Sequence, residues 1–149
     1  MIYNKKEKSE EKMKYTIPVS KDMAYASTTL SISTKHAIKV SRAINRKKFS
    51  DAKKKLEDIL AEKDSINGKF YTKTAKEILK ILNGVESNAK AKNLNPEEME
   101  VYISAHKGAT LYRSRRRRKH GIRLKSSHVQ IILKGEKHGS GKDVHKGSN

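Results

Sequence analysis

The residues of this chain best suited to chemistry are cations gathered in one place. Between Ala105 and Lys125 there are nine Lys or Arg and no Asp or Glu. The choice of cation inside that stretch says more than the number. The chain has 27 Lys and only eight Arg, yet Arg113, Arg115, Arg116, Arg117, Arg118 and Arg123 all fall there. A guanidinium grips phosphate through a bidentate fork and lies flat on a base, which an ammonium cannot do. The chemistry on offer is non-covalent recognition of a phosphate backbone, with Tyr112 supplying a stacking plane. RNA is recognised through shape, phosphates and unpaired bases, and those tasks suit this set. Lys107, Lys119, His120 and Lys125 complete the candidate contacts in the stretch. Two plainer readings compete: a solvated charge run, and a nuclear-import signal, which Arg115–Lys119 satisfies by composition.

Catalytic chemistry finds no comparable support. His36, His106, His120, His128, His138 and His145 form no metal-binding pair backed by Cys or a patterned carboxylate, and the chain has no Cys at all. No phosphate-cradling Gly-rich loop follows a strand pattern. Asp51, Glu57 and Asp58 could be imagined as a nuclease cluster, but acids on a helix facing a polyanion more simply limit self-repulsion. The expectation is a binding protein with no catalytic role, no metal, no cofactor and no small-molecule substrate.

The elements that must position the cations follow from periodicity. After Pro96 the apolar period is two: Met99, Val101, Ile103 and Ala105 alternate with Glu100, Tyr102, Ser104 and His106, and Val129, Ile131 and Leu133 with Gln130, Ile132 and Lys134. These are two half-buried strands, expected as antiparallel neighbours. The basic stretch joins them, so a hairpin extension over about 106–126 is the natural reading. Continued as a ladder, each arm gains on the order of 8 residues, or about 25 Å at 3.3 Å per residue. It carries almost no apolar face and must project into solvent or a partner.

Three helices precede the strands. Ser33 would cap one over Thr34–Asn45, with Ala37, Val40 and Ile44 on one face and Lys35, Lys39, Arg42 and Arg46 around the remainder. Ser50 would cap a second, with Ala52, Leu56, Ile59 and Leu60 as its stripe. A turn at Asn67-Gly68 leads to a third, where Thr74 and Glu77 form a capping-box pattern with Thr72 as an alternative cap. Its apolar stripe is Ala75, Ile78, Leu79, Leu82, Val85 and Ala89, and Asn95-Pro96 should stop it. Gly84 lies inside, either for close packing or merely tolerated at a cost of roughly 1 kcal/mol against Ala. Ahead of the helices, Val19, Tyr25, Leu30 and Ile32 suggest short extended segments.

Composition frames all of this. At 149 residues the chain fits one domain with tails, and at 34% apolar its core must be small. The formal charge of +19 repels itself in a compact state unless a polyanion neutralises it. Residues 1–100 hold 22 basic and 14 acidic groups, net +8, and residues 101–149 hold 13 and two, net +11. The helical part therefore offers a basic surface as well, expected at Lys35, His36, Lys39 and Arg42 with Lys53–Lys55. Residues 1–14, with five Lys and three Glu, read as a disordered basic leader, and 135–149 as a disordered Gly, Ser, Lys and His tail. No apolar run reaches membrane-spanning length, so the expected compartment is the cytoplasm, with no membrane partner.

Three helices followed by a long basic hairpin resemble the large-subunit ribosomal protein L twenty-two family. The resemblance spans roughly Tyr15 to Lys134. It is carried by Glu86-Ser87-Asn88-Ala89 with Leu94 beyond, by the basic loop with Gly121, and by Ser126-Ser127-His128-Val129-Gln130-Ile131-Ile132-Leu133. It implies an α+β fold over 15–134, three helices packed on a small antiparallel sheet with a long protruding β-hairpin. It also implies a structural protein of the large ribosomal subunit whose partners are ribosomal RNA and neighbouring ribosomal proteins. The hairpin would thread the RNA and help line the nascent-peptide exit tunnel, with its tip at about Tyr112 to Arg123 near the nascent peptide. The arms would be Met99–Lys107 and Lys125–Lys134. Three features depart from the family: Lys119, two before the tip glycine, and Ile122, just after it, stand where many members have a small and a basic residue; Gly121–His128 is about four residues shorter; and Lys63–Thr72 is shorter than archaeal and eukaryotic members usually have. The third helix and strands read closer to archaeal and eukaryotic members than to bacterial ones. Composition alone also permits a basic DNA-binding architectural protein, though without a helix-turn-helix or an apolar minor-groove wedge.

Overall fold

A computed structural model describes residues 23–114, Arg118 and residues 120–135. The expected leader, Val19, Arg115, Arg116, Arg117, Lys119 and residues 136–149 lie outside the described residues. The elements run β1 (Met23–Leu30), α1 (Thr34–Ile44), β2 (Lys47–Lys48), α2 (Phe49–Leu60), α3 (Thr72–Ala91), β3 (Met99–Lys107) and β4 (Ser127–Gly135), with a 3-10 turn at Pro96–Glu98. The strands form one antiparallel sheet in the order β1-β4-β3-β2, and the three helices pack on it, so the α+β expectation holds.

The helical stripes read from the sequence are the buried ones. Ala37, Val40 and Ile44 of α1, Ala52, Leu56 and Ile59 of α2, and Ala75, Ile78, Leu82, Val85 and Ala89 of α3 meet Val101, Ile103, Val129, Ile131 and Leu133 of the sheet in a single core. Ile81 joins them, while Leu60 and Leu79 pack at the edge. β1 accounts for the extended segment around Tyr25 and Leu30 and lays Ala24 into the same core.

The helix ends differ from the sequence reading. Ser33 stands at the α1 N-cap, but its side chain makes no capping bond. The second helix begins at Phe49, not after Ser50, because Lys48 is paired in β2 with Glu100 and the buried Phe49 ring anchors the start directly. The third begins at Thr72 with Tyr71 at the cap position; Thr74 lies buried in the first turn, and Glu77 binds Lys80 instead of closing a capping box. Its end owes nothing to Pro96. Asn93 adopts φ +57°, Leu94 N–H reaches back to the Ala89 carbonyl and Asn93 N–H to that of Lys90, a left-handed cap that turns the chain out earlier. The Asn67-Gly68 turn is present, with both residues at positive φ and Ile66 bridged to Lys69.

Strand β4 is more buried than alternation suggests. Gln130 and Ile132, expected on the polar face, are 3% exposed. The register explains it: β4 runs between β1 and β3, so Ile132 has Tyr25 on one side and Tyr102 on the other, across the face opposite the helices.

Candidate nucleic-acid interface

Strands β3 and β4 pair from Met99↔Gly135 to Lys107↔Ser127, and their arms remain in contact beyond that ladder. Gly108 N–H donates to the Ser126 carbonyl, Leu124 N–H to that of Leu111 and Arg113 N–H to that of Ile122, with Tyr112 bridged to Arg123. Between the pairs Gly108–Ser126 and Leu111–Leu124, two residues of the outgoing arm face one of the return arm. That extra residue is a bulge, which bends and twists a strand pair and re-aims its side chains. The expectation that this extension has almost no apolar face is incorrect. Leu111, Ile122 and Leu124 share one face, at 53%, 51% and 39% exposure, and sit with Thr29, Leu30, Ser31 and Lys73 around one cleft. Their spacing was legible, but the density of Arg around them hid it.

The root of the arms is fastened to the start of α1. Thr34 Oγ1 lies 2.9 Å from Ser127 Oγ, and Ser127 Oγ donates to the Ile32 carbonyl at 2.9 Å. This clamp brings together cations far apart in sequence. Lys35 of α1 lines a cleft of about 390 Å³ with Lys107, Arg123, Lys125, Ser33, Thr34 and Ser126, and no acid is among its lining residues. The first turn of α1 also carries no acid, so the positive end of the helix dipole adds to the same field.

The other candidates extend from this cleft. Lys39 and Arg42 continue along the exposed side of α1 beyond Lys35. His36 packs 4.8 Å from the Tyr71 ring, and Lys39 Nζ donates to Tyr71 Oη at 3.4 Å, so Tyr71, absent from the sequence-derived set, holds this end of the surface in place. Tyr112, at 63% exposure, and Arg113, Arg118 and His120 are exposed on the hairpin. Among the described residues no ion pair engages Lys35, Lys39, Arg42, Lys107, Arg113, Arg118, Arg123 or Lys125. Lys53–Lys55 fit less well. Lys53 is bound to Glu86, which Lys90 also holds, and Lys55 faces Asp64 at 3.7 Å. Hydrogen bonding from Lys90 above all, with Lys53 beside it, keeps the Glu86 carboxyl below its ordinary range against a smaller opposing effect of burial. Among the described residues no group of three or more His, Cys, Asp or Glu could hold a metal.

The family model for ribosomal protein L22p/L17e matches residues 25–134. The chain belongs to that family. Large ribosomal subunit protein uL22 of Methanocaldococcus jannaschii is 32% identical over 147 residues, covering 82% of this chain and 94% of the relative. Its counterpart in Staphylothermus marinus is 33% identical, covering 69% and 82%, and that of Nanoarchaeum equitans 27%, covering 81% and 83%. As an L22-family member the chain is a structural, non-enzymatic protein of the large ribosomal subunit. The family match starts at residue 25, inside β1, and so begins ten residues after the Tyr15 boundary read from the sequence.

Proposed function

We propose that the chain binds large-subunit ribosomal RNA through the hairpin and the exposed side of α1, with the hairpin threading the RNA and its tip lining the exit tunnel beside the nascent peptide. The contacts would be Lys107, Tyr112, Arg113, Arg115, Arg116, Arg117, Arg118, Lys119, His120, Arg123 and Lys125 from the hairpin and Lys35, His36, Lys39 and Arg42 from α1. The observation that carries this reading is the acid-free cleft that joins Lys35 to Lys107, Arg123 and Lys125. Four cations left without carboxylate partners at one concave place repel one another until an anion enters, and a phosphodiester backbone supplies a row of them. Residues 15–134 form the domain that docks, and the site of action is the cytoplasmic ribosome, among neighbouring ribosomal proteins.

Sedimentation of cell extract tests the assembly. The protein should travel with large subunits at close to one copy each; a mostly free pool would overturn the reading. Competition between structured ribosomal RNA and duplex DNA tests the ligand, and a clear preference for DNA would make the chain an architectural DNA-binding protein.

A further inference from the structure

On the sheet face opposite the helices, a recess of about 180 Å³ lies where β2 stops after two residues and leaves the rim of β3 open. Ile132 and the Tyr102 ring form its apolar part, Ile103 lies at its edge with its side chain in the helix-side core, and Asn45, Arg46, Ser104 and Gln130 form its polar rim, where Ser104 Oγ donates to Gln130 Oε1 at 3.4 Å. The rim is held rather than loose. Asn45 Oδ1 accepts from Ile103 N–H at 3.2 Å, Arg46 N–H donates to the Val101 carbonyl at 2.8 Å, and Arg46 takes φ +59° in the tight passage from α1 to β2. Tyr102 Oη donates to Glu100 at 2.8 Å, which fixes the ring and gives that carboxylate a partner. Lys134 Nζ stands 5.9 Å from that ring's centroid, and Lys48 is exposed next to Lys47 on the same sheet edge.

We propose that this recess takes a single unpaired nucleobase of RNA. The inference rests on the RNA-binding reading above and adds a site well away from the hairpin tip. Size favours a small group: pockets for drug-sized ligands run from about 300 Å³ upward, and a peptide helix needs a groove longer still. A planar heterocycle matches the remaining features. It has an apolar face for the Tyr102 ring beside Ile132, donors and acceptors on its edge for the Ser104 hydroxyl and the exposed Asn45 amide, and a phosphate attached for Arg46 and Lys48. Every base offers a π-face, so an aromatic platform beside cations is the usual way a single strand is held.

The test uses the full-length protein and deproteinised large-subunit ribosomal RNA. Tyr102→Ala removes the platform, and Ser104→Phe fills the recess with the protein's own ring. Each should weaken binding by roughly tenfold, within what stacking of one base is worth on alanine substitution, while leaving the salt dependence of binding unchanged. Ultraviolet crosslinking and mass spectrometry should find a nucleotide adduct on the β3 peptide that contains Tyr102. Tight wild-type binding with both variants equal to wild type and no β3 adduct would overturn the pocket and leave the RNA-binding reading standing. Failure of the wild type itself to bind would remove both. Loss of RNA-free thermal stability in Ser104→Phe with unchanged RNA affinity would mean that a segment of the chain itself fills the recess, and would also overturn the proposal.

Discussion

Ser127 Oγ and Thr34 Oγ1 lie 2.9 Å apart, joining the root of the hairpin to the first turn of α1 across more than ninety residues of sequence. The same Ser127 hydroxyl donates to the Ile32 carbonyl, and Ser127 is fully buried. One side chain therefore satisfies a backbone acceptor and sets the relative position of two cation-bearing elements.

Ser127→Ala should cost about 1–3 kcal/mol of stability, since it leaves the Ile32 acceptor with no replacement donor. Urea unfolding measures this. RNA affinity should fall as well, because Lys35 and Lys125 are no longer held at one cleft; unchanged stability and affinity would show the clamp to be incidental.

Gly108→Ala tests the neck of the hairpin. A Cβ at Gly108 would collide with Ser126 Oγ and lie 3.1 and 3.2 Å from the Ser126 and Ser127 backbone. The backbone of the two arms must then separate, at about 1–3 kcal/mol for overpacking of this kind. Amide exchange should show the Gly108 to Ser126 hydrogen bond weakened, with protection of the β3–β4 ladder retained.

What the sequence made legible here is whatever repeats. The stripe Ala37, Val40 and Ile44 and the alternation Met99, Val101 and Ile103 both report one buried face, and both are correct. β2 has two residues and hence no period to detect, and without it the open rim and the Arg46 recess are invisible. The caps failed because Phe49 burial and the Asn93 turn outweighed the local preference of Ser50 and the block at Pro96. Within the site, both cation groups were visible separately. Their meeting was not, because the contact between Thr34 and Ser127 that joins them is a tertiary fact.

Gly84→Ala should stabilise the protein. A Cβ at Gly84 meets nothing within 4 Å, so the glycine serves no close approach, and the tolerance reading holds. The gain should approach the helix-propensity difference of about 0.8–1 kcal/mol, read as a shifted urea midpoint with unchanged slope.

Acid should loosen the join between α2 and α3. Glu86 is held by Lys90 and Lys53 and has its acid range displaced downward. A carboxyl depressed in the folded state contributes stability that is complete above its unfolded value and is lost as pH falls through the folded one. Stability should therefore decline from the ordinary carboxylate range downward, and Glu86→Gln should flatten that part of the curve. Equal acid sensitivity in the variant would place the effect elsewhere.

The final prediction separates the hairpin from the helix surface. Replacing Arg115, Arg116, Arg117 and Arg118 with Ala removes up to four phosphate contacts, each worth about 0.7–0.9 in the slope of log affinity against log salt. The slope should drop by about three if all four touch backbone, and by less where an Arg stacks on a base instead. Lys35→Ala should lower it by about one, and Lys125→Ala likewise. Because Lys35 and Lys125 line the same cleft, their double variant should lose less than the sum if one phosphate answers to both. Strict additivity would mean two separate phosphates. In that case the cleft would be a meeting of two independent surfaces rather than a single site.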